Sequence, residues 1–168
     1  MTLAWSAMGA RVSDLVFHVY TVEKPVTRRF LSVLPQELLG ARALPPEGIV
    51  GEIRGDPERL TPDTFTANVT FMTLLHWVIA SHAAEHPGLQ EAAKTQGQGD
   101  LLLVDQRTAT PANPPSTDVL GVFEVQGGKV ERYRVNPEHL LLTDDGLFEI
   151  DGFFFDHLLA ELRVMLEK

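Results

Sequence analysis

The chain has 168 residues, of which 44% are hydrophobic and 22% charged, an ordinary mix that can bury one core without disulfides or structural metals. It has no cysteine, which excludes disulfides, thiolate zinc sites, iron–sulfur clusters and cysteine nucleophiles. The net charge of −9 is unevenly placed: residues 1–60 hold seven basic and seven acidic side chains, residues 61–168 seven and sixteen, a balance that disfavours nucleic acid and anionic membranes as partners.

Met1–Ala10 is mildly apolar, but no Lys or Arg precedes Arg11 and Ser6 and Gly9 break the run, so it does not read as a signal peptide. Residues 1–10 are left room to be a flexible N-terminal tail, with Met8 as an alternative start, and 1–168 reads as a single domain in the cytoplasm. Leu15–Val22 is rich in β-branched and aromatic residues and predicts a strand, Arg28–Leu34 a second, and Gln36–Leu39 one helical turn. Ile49–Arg54, between Pro45-Pro46 and Gly55-Asp56-Pro57, predicts a third short strand.

Thr61-Pro62-Asp63 carries an N-cap residue, a first-turn proline and an early acid, so a long helix is expected over about 62–86. Phe71, Leu74, Leu75, Val78 and Ile79 share its core face, while Thr66, Thr70, Thr73 and Ala80 lie opposite. Pro87-Gly88 is read as its end, followed by a short helix over Leu89–Gln96. Leu101–Val104 is a continuous apolar run suited to a central strand that ends at Asp105 and Arg107.

The proline-rich segment Thr108–Thr117 reads as a loop that covers a small-ligand pocket or makes an irregular connection. Val119–Val125 and Lys129–Val135 flank Gly127-Gly128 as a hairpin, and His139–Leu142 with Leu147–Ile150 predict another. Asp151 caps a last helix, about 152–167, with Phe155, Leu158, Leu159, Leu162, Met165 and Leu166 along one stripe. The expected class is α+β: a mainly antiparallel sheet of about six or seven strands packed on the long central helix and the C-terminal helix. Pro45-Pro46 before Ile49-Val50-Gly51-Glu52 echoes Pro114-Pro115 before Val119-Leu120-Gly121, but two such short matches do not establish a repeat.

The sharpest chemical candidate is His82-Ala83-Ala84-Glu85-His86, an H-x-x-E-H spacing in which His82 and His86 would hold a metal and Glu85 would act as catalytic base on a metal-bound water. The same residues also suit the solvated last turn of a helix, where imidazoles favour the negative end. A working site needs a third ligand from elsewhere, for which Glu124, Glu131, Glu138, His139 and Glu149 are candidates. His18 and His157 read as hydrogen-bonded structural residues.

Asp144, Asp145, Glu149 and Asp151 form a local acidic group without calcium-loop spacing, and Phe153-Phe154-Phe155 cannot all face one side of a helix. Asp144, Asp145, Asp151, Phe153 and Phe154 are therefore the candidate partner-binding residues, while Trp5 and Trp77 are read first as core. The favoured reading is a non-catalytic acidic binding module engaging a basic protein, as monomer or weak homodimer, with no cofactor expected. The alternative is a metal-dependent hydrolase built on His82, Glu85 and His86, with a divalent metal such as zinc.

Overall fold

The computed structural model describes residues 2–5 and 16–168. In chain order the strands and helices are β1 (Thr2–Trp5), β2 (His18–Val22), β3 (Arg28–Ser32), α1 (Gln36–Leu39), β4 (Ile49–Ile53), β5 (Phe65–Ala67), α2 (Val69–His82), α3 (Pro87–Gln96), β6 (Gln98–Val104), β7 (Val119–Gln126), β8 (Lys129–Val135), β9 (Leu142–Thr143), β10 (Gly146–Leu147) and α4 (Gly152–Leu166). They confirm the α+β class. Among the described residues the strands form two four-stranded sheets, ordered β2-β3-β4-β5 and β1-β6-β7-β8, and the small β9-β10 ladder. Pairing is antiparallel throughout except for β1, which runs parallel to β6. Among the described residues no helix is long and apolar enough to cross a membrane.

One continuous core draws Leu31, Val50 and Ile53 from the first sheet, Leu101, Leu103 and Phe123 from the second, and apolar side chains from α2, α3 and α4. The expected α2 stripe of Phe71, Leu74, Leu75, Val78 and Ile79 is buried in full, each side chain contributing about 1.5–3 kcal/mol of hydrophobic stabilisation. On α4 the core face is Phe155, Leu158 and Leu162, with Leu159, Met165 and Leu166 at its margin.

The long helix does not begin at Thr61. Thr61 and Thr64 do form a reciprocal capping box, but around a single 3-10 turn over Pro62–Thr64. The chain then extends, because Phe65 and Thr66 suit a strand and their backbone completes the ladder beside β4, with Phe65 opposite Ile53. Asn68 is the cap that starts α2, its Oδ1 accepting from the Thr70 N–H at 3.2 Å. At the other end α2 stops at His82, a 3-10 turn spans Ala83–Glu85, and Pro87 takes the first position of α3 rather than closing a helix. The second predicted hairpin shrinks to two residue pairs, Leu142–Leu147 and Thr143–Gly146, because Leu141, Phe148 and Ile150 turn into the core. Thr2–Trp5, read as part of a tail, form the edge of a sheet opposite Asp100–Leu103, while Met8 and the rest of 1–10 lie outside the described residues.

The short sequence echo marks a structural repeat. Each half places a 3-10 turn, Pro46–Gly48 or Ser116–Asp118, directly before a strand. The strand preceding each turn shifts register at matching points, between Leu31 and Ser32 and between Leu103 and Val104. Gly51 and Gly121 face Leu31 and Leu103 on one side and Ala67 and Val135 on the other. Both must be glycine for one reason: a Cβ would come within 2.3 Å of the Phe65 ring at Gly51 and within 2.4 Å of the Tyr133 hydroxyl at Gly121. Three residues beyond each aromatic stands an asparagine that ties the turn to the strand. Asn68 Nδ2 donates to the carbonyls of Pro46 and Ile49, both at 2.8 Å, and Asn136 Nδ2 to those of Ser116 and Val119 at 2.9 and 2.8 Å. The units β3-β4-β5 and β6-β7-β8 are thus copies of one design, and only the fourth strand of each sheet differs in direction.

Candidate functional site

Besides the exposed ion pairs on the two sheets, ionisable groups of the described residues gather at four places, three of them internal. At the end of β6, Asp105 and Asp118 are buried around Arg107, whose side chain is 2% exposed. Arg107 Nε donates to Asp118 Oδ1 at 2.9 Å, Nη1 to the carbonyls of Leu141 and Gly146 at 3.1 and 3.0 Å, and Nη2 to that of Thr117 at 3.0 Å and to that of Leu140. All five guanidinium donors are used. Asp105 Oδ1 accepts from the N–H of Glu149 at 2.8 Å and of Arg107 at 3.1 Å, while Oδ2 meets His139 Nε2 at 2.9 Å. The void nearby, beside Gln106 and Ile150, has room for about one water at 10 Å³.

The second place joins two helix starts. His86 and Asp151 are both buried, and their side chains meet through Nε2 and Oδ2. His86 Nδ1 accepts from the Leu89 N–H at 3.2 Å, capping α3, so the ring proton sits on Nε2 and is donated to Asp151. Asp151 Oδ1 accepts from the Phe154 N–H at 2.9 Å, capping α4. The pair thus satisfies two orphan helix ends at once.

The third lies under α2, where His76 Nδ1 is 2.9 Å from the Tyr133 hydroxyl. Burial, with repulsion from His139 second, lowers the His76 pKa to about 4, and burial raises that of Tyr133. A neutral imidazole accepting from a neutral phenol is the form this environment favours.

The fourth place is open to solvent. His82 at the end of α2, Glu85 in the 3-10 turn and His157 on α4 bring one donor atom each within 4.8 Å of one another. His82 Nδ1 lies 3.2 Å from Glu85 Oε2, and the His82 and His157 rings stack with centroids 3.8 Å apart. Trp77, 51% exposed, sets its edge against His82, and Phe153 its edge against His157.

The sequence placed His82, Glu85 and His86 together, but the structure divides them. His82 and Glu85 meet His157, whereas both ring nitrogens of His86 are engaged in the α3 and α4 caps. Nor do the proposed third ligands join them: Glu124 pairs with Arg132 and Arg134, Glu138 accepts from the Ser116 hydroxyl, His139 is held by Asp105, and Glu131 and Glu149 project into solvent. Of the partner-facing set, Asp144 and Asp145 are exposed in the β9–β10 turn and Phe153 is half-buried. Asp151 and Phe154 must leave that set, at 5% and 1% exposure, because one caps a helix and the other packs in the core. His18 lies half-buried on β2. His157 and Asp118 were not legible as partners, since no spacing along the chain links residue 82 to 157 or 107 to 118; only the packing of α2 on α4 and the return of β7 do so.

No protein-family model, curated protein or solved structure matches the chain.

Proposed function

We propose that the protein is a non-catalytic binding module that offers an acidic surface to a basic protein partner. The observation that carries this reading is the division of its carboxylates. Asp105, Asp118 and Asp151 are buried against Arg107, His139 and His86, so thirteen of the sixteen acidic side chains of residues 61–168 lie outside the core. Arg132 and Arg134 are occupied by Glu124 and Asp100 on the second sheet, leaving Lys94, Lys129, Arg163 and Lys168 as the other basic groups of this region. Such a surface draws a cationic partner and speeds its approach. The buried histidine–carboxylate pairs also favour a non-enzyme, because both are closed off from solvent.

The contact set that follows is Asp144, Asp145 and Glu149, exposed between β9 and α4. Titration with an arginine-rich peptide should give an affinity that falls with added salt, and the combined Asp144→Asn, Asp145→Asn and Glu149→Gln variant should weaken it about fivefold. Binding that ignores both salt and these substitutions sinks the reading.

A further inference from the structure

We infer that His82, Glu85 and His157 form a binding site for a divalent transition-metal ion of the imidazole-preferring kind, zinc foremost, which clamps the end of α2 to α4. The three side chains come from separate elements: the last turn of a helix, the 3-10 turn after it, and a second helix packed alongside. Their donor atoms lie within 4.8 Å of one another, and bonds of roughly 2.0–2.2 Å to a shared tetrahedral ion would draw them in to about 3.5 Å. Two imidazoles and a carboxylate suit zinc, and the exposed side of Glu85 leaves a fourth position to water.

The surroundings favour the same assignment. Trp77 and Phe153 make T-shaped contacts with the two imidazoles and flank the donors on one side with apolar surface, while Glu85 keeps the other side open to solvent. In the stacked arrangement the ring planes are only 15° apart, so their in-plane lone pairs run nearly side by side. Binding therefore needs one ring to turn about its side-chain bonds. His82, with its side chain 20% exposed, and the half-buried His157 both have that freedom, whereas His86 is locked in the buried pair with Asp151.

The ion would hold two helices together rather than hydrolyse a substrate. Glu85, the only carboxylate of the set, already faces His82 and would serve as a ligand, which leaves no base beside a metal-bound water. Metal-stripped full-length protein titrated with zinc chloride should bind one equivalent in calorimetry, with the melting temperature rising by roughly 5–10 °C at a hundredfold excess over Kd. His82→Ala and His157→Ala should each weaken zinc binding by about tenfold or more, and Glu85→Gln by less. His18→Ala, on β2, should bind as the parent does and control for nonspecific imidazole binding. Absence of saturable zinc binding, or binding unchanged in the His82→Ala/His157→Ala double variant with its fold intact by circular dichroism, overturns the assignment. Neither result bears on the acidic surface, which is tested without metal.

Discussion

Arg107 shows how a charged side chain can belong to a core. Its five donors are all used, so removing it strands Asp118 and four backbone carbonyls in a low-dielectric interior, while Asp105 keeps His139 and two backbone N–H groups. Arg107→Met should destabilise the fold by about 3–5 kcal/mol in urea unfolding at neutral pH. A cost near zero would mean that water reaches Asp118. His76 makes a second prediction. With its folded pKa lowered to about 4, the unfolded chain binds the extra proton as pH falls below about 6.5, while the folded ring stays neutral. The stability owed to the neutral ring is complete above pH 6.5 and is lost as pH falls toward 4, by about 3 kcal/mol in all. Urea midpoints at pH 7 and pH 4.5 should therefore differ more for the parent than for His76→Gln, whose carbonyl can still accept from Tyr133.

At the scale of elements, Asn68 and Asn136 make a matched pair. Each donates once to a 3-10 turn and once to the first residue of the strand after it, and accepts once from the N–H two residues on, Thr70 or Glu138. Replacing either with alanine leaves two carbonyls short of a donor and should cost about 1–3 kcal/mol. Asn68→Ala should be the more damaging because it also uncaps α2, and chemical denaturation of the two variants checks the order. The apolar stripes of α2 and α4 and the strands around Gly127-Gly128 were legible because periodicity and turn chemistry are local. The start of α2 was not. Thr61-Pro62-Asp63 has every mark of a helix start, and the turn it opens is outcompeted after three residues by the open edge of β4, a partner encoded elsewhere in the chain. The candidate site divides in the same way: His82 and Glu85 share one local segment and could be named together, but His157 joins them only through helix packing.

For the whole molecule, a net charge of −9 with most of the excess on the surface makes the folded state repel itself. Raising sodium chloride from about 10 to 500 mM should screen that repulsion and lift the melting temperature by roughly 2–4 °C, read by scanning calorimetry. A fall would mean that exposed pairs such as Arg28–Glu52 outweigh it. The repeated unit has a larger consequence. When two subunits of a symmetric dimer are joined into one chain, their halves no longer have to be identical, and each can change without its change appearing twice. Gly48 and Asp118 close equivalent turns, yet the first is pressed against Leu34 and the second holds the Arg107 guanidinium. One half has an uncharged turn at this point and the other a buried ionic lock, a difference that two identical half-length subunits could not show.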